Sequence, residues 1–165
     1  MRPAPRGKRK KFSLVCKDDP VEELVKQTDH ILLAVWAIDC AERVMHFFEK
    51  KYPDDPRPRN AIIACQTWID TGIFRMADIR GASLASHAAA RDAGEDNAAR
   101  SAARAAGQAV ATAHVKTHSL GAARYAQQAV WRGANPADAD AAVARERDWQ
   151  ERHLLDLREK SYPEN

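Results

Sequence analysis

The sequence predicts an all-α fold, a single compact helical bundle or orthogonal array of about six helices around an alanine-rich core. Three observations point there. Alanine supplies 32 of the 165 residues against 7 glycines and 8 prolines, and it is the strongest helix former. The pairs Asp19-Pro20, Asp55-Pro56 and Asn135-Pro136 each offer an N-cap oxygen, then a ring whose fixed φ suits the first helical position. No stretch alternates apolar and polar residues over a strand's length between turn residues.

The elements follow in order. A first long helix spans 28–52 and ends at Pro53, with a shorter piece, 20–27, leading into it. Its residues Ile31, Leu32, Val35, Trp36, Ile38, Val44, Met45, Phe47 and Phe48 cover much of its circumference, which places it centrally. The second helix, 56–71, sets Ile62, Cys65, Trp68 and Ile69 on one stripe. The third spans 76–93 and the fourth runs from 96 to His114 or beyond. In the fourth, Ala98, Ala102, Ala105, Ala109 and Ala113 form one row and Ala99, Ala103, Ala106 and Val110 a second. Arg100, Arg104 and Gln108 lie on another face. Such small seams let helix axes approach near the lower end of the usual range, and they leave little room for a bulky cofactor. The fifth helix covers 119–132, and the last, 136–160, is heavily charged and weakly amphipathic. Its Trp149, Leu154, Leu155 and Leu157 suit packing on a partner chain, so a homo-oligomer is one expectation. Gly72, Gly94 and Gly133 stand where C-terminal glycines end helices.

The net charge of +3 divides sharply. Residues 1–17 hold Arg2, Arg6, Lys8, Arg9, Lys10, Lys11 and Lys17 and no acid, a flexible tail of +7, whereas 18–165 form the helical domain with −4. The folded part therefore has no basic excess to offer a phosphate backbone, and nucleic acid is expected only through tail residues 2–17. The longest apolar run, 31–38, falls far short of the ~20 residues of a membrane span. No apolar stretch follows the basic N-terminus, so no signal peptide is expected. Cys16, Cys40 and Cys65 are odd in number and lack metal-ligand spacing, which suits reduced thiols in a cytoplasm.

Candidate chemistry concentrates in two places. Asp39, Glu42 and Arg43 interrupt an apolar helix. Asp39 with Arg43, and Glu42 with His46, have the i, i+4 spacing of pairs along one helix. They form either a polar pocket between helices or an internal ion pair that fixes register. His114 and His118 are also i, i+4 if the helix continues, the spacing of zinc-binding helices, but a third ligand is needed. His87, Asp39 or Glu42 would have to supply it. His114 follows Val110, Gly107 and Ala103 on the apolar seam, so a hydrogen-bonded core histidine is the commoner arrangement. No Glu-x-x-His pair of a di-iron bundle, no Gly-x-Ser-x-Gly elbow and no phosphate-binding glycine loop is present. Cys40 and Cys65 lie on apolar faces, where thiols are inert packing groups. Neither catalysis nor a cofactor is expected. Trp36 and Trp68 fill the core, and Trp131 and Trp149 sit near charged residues as contact-surface candidates. Two rival functions stay open: a nucleic-acid-associated protein using the tail, and a metal- or small-ligand-binding enzyme built on Asp39, His114 and His118.

The stretch Trp36-Ala-x-Asp39-Cys40-Ala41-Glu42-Arg43-Val44 resembles the opening helix of the bacterial, all-helical immunity protein 5-like family. Three further stretches are similar to it. They are Tyr52-Pro-Asp-Asp-x-Arg57-Pro58-Arg59-x-Ala61-Ile62, then Ala85-x-His87-Ala-Ala-Ala-Arg91, and finally Ala106-Gly107-x-Ala-Val-Ala-Thr-Ala-His114-Val-x-x-His118 continuing to Tyr125-Ala126. The likeness covers about residues 29–130. It implies a protein that neutralises a cognate bacterial toxin by binding it, without chemistry of its own. The mildly acidic body suits a basic toxin, since opposite charge speeds association. The resemblance makes Asp39, Glu42, Arg43, Arg57, Arg59, His87, His114 and His118 the expected partner-binding or pocket residues.

Overall fold

The computed structural model describes residues 10–161. Among them eight helices occur and no strand: α1 Pro20–Lys26, α2 His30–Glu42, α3 Met45–Glu49, α4 Arg57–Thr71, α5 Met76–Asp92, α6 Ala98–Ala111, α7 His118–Gly133 and α8 Ala139–Ser161. The all-α class holds, with eight helices where the sequence suggests about six. The stretch 20–52 accounts for the difference: its leading piece is α1, and the long helix divides into α2 and α3. Asp29 Oδ2 accepts the amides of Ile31 and Leu32 and restarts the helix after Thr28. At Arg43–Val44 the ladder tightens to i→i−3 bonds, Val44 N to Ala41 O and Phe47 N to Val44 O at 3.1 Å each, and α3 follows with Met45 and Phe48 buried.

The other boundaries have local causes. Asp19 caps α1 as the Asx–proline pattern predicts, accepting Val21 N at 3.1 Å. Asp55 accepts Arg57 N at 3.1 Å ahead of α4. After Asn135-Pro136 a turn intervenes, so α8 begins only at Ala139. Gly72 ends α4 in the left-handed region at φ 68°, and Gly94 follows α5 at φ 84°. Gly133 differs from its expected capping role. It belongs to the last turn of α7, and its missing side chain admits the Phe47 ring, which a Cβ would strike.

α6 lies at the centre, in contact with α2, α3, α4, α5 and α7. Its buried residues are Ala99, Ser101, Ala102, Ala103, Ala105, Ala106, Gly107, Ala109 and Val110. Bulk comes from other helices: Leu33 and Trp36 of α2, Met45 and Phe48 of α3 and Leu154 of α8 are all buried. Trp68 is buried too, as expected. The charged last helix packs on its own chain rather than standing free. Leu154 is fully buried and Trp36 Nε1 donates to Gln150 O at 2.9 Å. Gln127 Nε2 donates to Gln150 Oε1 at 2.8 Å, and Gln150 Nε2 to Ala123 O at 3.0 Å. Of the basic segment, residues 1–9 lie outside the described residues, and Phe12 rests against Trp131 with ring centroids 6.0 Å apart. No helix among the described residues is long and apolar enough to cross a membrane.

A helix enclosed on so many sides tolerates no added volume. Ala106→Leu, at a fully buried position, is expected to lower unfolding stability by about 2 kcal/mol or more through overpacking. Urea denaturation followed by circular dichroism measures it.

Candidate functional site

The polar residues of the opening helix are tied to other helices rather than to each other. Because α2 ends at Glu42, Arg43 leaves the helix axis and does not pair with Asp39. Its guanidinium forms a two-pronged bond with Glu146 of α8, at 2.8 and 2.9 Å, where the Glu146 carboxylate is 6% exposed. The same guanidinium lies 3.9 Å over the Trp149 ring. Asp39 instead accepts from His153 Nε2 at 2.6 Å, and the His153 ring stacks on Trp149. Glu42 pairs with Arg59, not His46, and Arg59 also meets Glu49 at 2.6 Å. Arg57 joins Asp55 and Asp92 at 2.8 Å each, and its bond holds the Asp55 carboxyl below the usual range. Each cation in this group has a carboxylate partner. The group is a clamp that ties α2 to α8, α2 and α3 to α4, and α4 to α5. Glu146, Trp149 and His153 complete it. On a helix as charged as α8, sequence pattern cannot separate a buried glutamate from a solvated one.

The three histidines lie elsewhere. α6 stops at Ala111, and residues 112–117 form a turn, so His114 and His118 do not share a helix. His114 is exposed and stacks against Phe74, with centroids 6.4 Å apart; it is not the core histidine the apolar seam suggests. His118 opens α7 and its Nδ1 donates to Gln108 Oε1 at 2.8 Å. His87 Nδ1 meets Arg104 Nη1 at 2.9 Å, and its ring lies against Gly107, where a Cβ would come within 2.8 Å of Nε2. Burial, then the charges of Arg104 and Arg91, bring His87 down to about 4. Burial also lowers His118, with His114 adding to it. Asp39 is held by α8 and does not join the histidines, and no group of three metal-ligating side chains occurs among the described residues.

His114 and His118 border an open groove of about 340 Å³, lined also by Met76, Ile79, Arg80, Ser83, Leu84 and Ala111. Across Ile79 lies a second cleft of about 270 Å³, lined by Trp68, Ile73, Arg75 and Asp78 among others. Between the clefts the turn from α4 to α5 carries Ile73 and Phe74, both exposed, with Met76, Leu84 and Val115 exposed around them. Composition could not flag this face, because lone exposed apolar residues look the same in a sequence as buried ones. Neither buried cysteine belongs to its lining. Burial pushes the Cys65 thiol up to about 12 and Cys40 well above its ordinary value. An apolar, concave face open to solvent is of the kind that binds partners and ligands.

A family model described as Imm-5 like putative immunity protein matches residues 23–157. No curated protein and no solved structure matches the chain.

Two outcomes follow from the clamp and the histidines. Arg43→Ala strands the buried Glu146 carboxylate and is expected to destabilise by about 2–3 kcal/mol, more than Glu146→Gln, which leaves a half-exposed guanidinium to water. Chemical denaturation of both variants measures the difference. The folded chain keeps His87 neutral to about pH 4, while the unfolded chain protonates it near 6.5. Between those values the unfolded state binds the extra proton, so stability is full above pH 6.5 and falls as pH drops toward 4. After discounting for the part-exposed ring the loss is on the order of 2 kcal/mol. Melting temperature against pH is expected to show that slope, and His87→Gln to flatten it.

Proposed function

The chain belongs to the Imm-5 like immunity protein family, and from that premise we propose that it binds a cognate bacterial toxin in the cytoplasm and neutralises it by occlusion, with no catalysis of its own. One observation carries the reading: the exposed apolar face around the α4–α5 turn. Ile73, Phe74, Met76, Leu84 and Val115 stand exposed beside two adjoining clefts. Large apolar side chains gathered in this way mark a protein-binding surface. His114 and His118 border it, which supports a role in partner contact for two of the eight sequence-derived candidates. Glu42 with Arg59, and Arg57 with Asp92, serve the reading differently, by holding α4 to its neighbours, whereas Asp39 and Arg43 tie α2 to α8.

The binding mode needs little rearrangement. Ile79, on the wall shared by the two clefts, is buried, so the face is backed by the bundle core and its shape precedes the partner. Preorganisation of that kind favours slow dissociation, which a protector of its own host requires. The test is coexpression with any toxin found encoded beside this gene. Cells are expected to survive and the two products to co-purify. Phe74→Asp and Leu84→Asp are each expected to weaken binding about tenfold or more, with the helical spectrum unchanged. Death of the coexpressing cells, with no complex recovered, would overturn the reading.

A further inference from the structure

The polar stripe of α6, Arg100, Arg104 and Gln108 at four-residue intervals, is the side of that helix left half-buried by its neighbours. α5 runs antiparallel beside it. Ser83 Oγ donates to Gly107 O at 2.9 Å, Ser86 Oγ to Ala103 O at 2.8 Å, and Arg104 Nη1 to His87 Nδ1 at 2.9 Å. One turn further along the same register, Arg91 of α5 comes opposite Arg100 of α6. Three guanidinium groups and an imidazole therefore converge on one seam, with Tyr125 of α7 near Arg104.

No carboxylate answers them. Among the described residues, none of Arg91, Arg100 and Arg104 forms an ion pair. Asp92 turns to Arg57, Asp96 to Arg132, and Glu95 pairs with none of the three. Arg100 donates to Gly94 O at 3.1 Å. Arg104 uses one N–H on His87 and has no other acceptor among the described residues. A guanidinium only donates, so His87 must accept at Nδ1 and is neutral there. It aims Arg104 without offsetting its charge. Burial and Arg100 accordingly disfavour the charged form of Arg104. The contrast with Arg43, Arg57, Arg59 and Arg124, each matched to a carboxylate, is plain.

We propose that the α5–α6 seam is an oxyanion-binding site, in which Arg104, aimed by His87 and joined by Arg91 and Arg100, takes a carboxylate or phosphate group. The free N–H groups of Arg104 form the planar fork that receives two oxygens of one anion. The group arrives either on a small molecule or on an acidic side chain of a bound protein. Its site continues the apolar groove, since Ser83 lines that groove and His87 and Arg91 follow Ser83 by one and two helical turns.

The probes are sodium phosphate and sodium acetate, titrated into the full chain against sodium chloride at equal ionic strength, with imidazole and backbone amide NMR shifts as readout. Saturable shifts centred on His87 and residues 100–108 are expected with at least one oxyanion and not with chloride. Arg104→Gln is expected to weaken binding about tenfold, and Arg91→Gln, at an exposed position, at least threefold. Tighter phosphate than acetate assigns the site to a phosphorylated small molecule; equal or tighter acetate assigns it to a carboxylate. Shifts that chloride reproduces, or binding undiminished by Arg91→Gln, overturn the site whether or not Arg104→Gln folds. A flat titration leaves toxin protection untouched, and a failed protection assay leaves the titration untouched, so the two readings fail separately.

Discussion

Everything in this bundle depends on how closely its helices approach α6. A helix whose buried positions are alanine, serine, glycine and a single valine offers neighbours almost no side-chain thickness. Five helices can therefore close on it at once, and their backbones come within reach of hydroxyl groups: Ser83 and Ser86 of α5 both bond to α6 carbonyls. Alanine buries little apolar area per residue. Compensation comes from the large buried side chains of α2 and α3, among them Trp36, Leu33, Met45 and Phe48. The same closeness explains the glycines of the core. Gly107 gives its missing Cβ space to His87, and Gly121 gives its space to Gln108.

A core of that kind specifies spacing well but orientation poorly, because alanine rows look alike from one turn to the next. Polar contacts supply the missing register. Arg43 with Glu146, Asp39 with His153, and the Gln127–Gln150–Ala123 chain are each satisfied in one alignment of α8 against α2 and α7. Buried ion pairs contribute little net stability, yet a slip by one turn would leave Glu146 buried without a partner. The heavily charged sequence of α8 is thus compatible with a helix packed on its own chain.

The sequence was legible where local chemistry decides and opaque where a distant partner does. Burial of Trp36, Trp68, Cys40 and Cys65, the cap at Asp19, the stop at Gly72 and the stripe of Arg100, Arg104 and Gln108 all follow from spacing or a single side chain. The end of α6 does not. Nothing in Ala111-Thr112-Ala113-His114 breaks a helix, but His30 Nε2 donates to Thr112 O at 2.5 Å, so a carbonyl at the helix end is satisfied from eighty-two positions away. That contact separates His114 from His118 and removes the metal-like spacing. The break at Arg43 is of the same type, with the side chain drawn to α8. Among the site residues, the histidine positions were visible as a pattern, whereas the exposed Ile73 and Phe74 beside them had no signature.

Net charge hides the arrangement that matters for binding. A body of −4 suggests a surface repelling anions, yet the acids are drawn into pairs: Asp55 and Asp92 to Arg57, Glu42 and Glu49 to Arg59, Glu146 to Arg43. Those pairs neutralise the α2–α4–α8 side and leave its polar groups satisfied. On the α5–α6 seam the balance inverts, with Arg91, Arg100 and Arg104 unmatched and the imidazole among them held neutral. Neutrality of His87 is what lets it sit against Arg104 at all, since a second cation at 2.9 Å in a half-buried site would be strongly disfavoured. A neutral acceptor that orients a half-buried guanidinium, on the helix that also lines the apolar groove, is the arrangement that the proposed anion site requires.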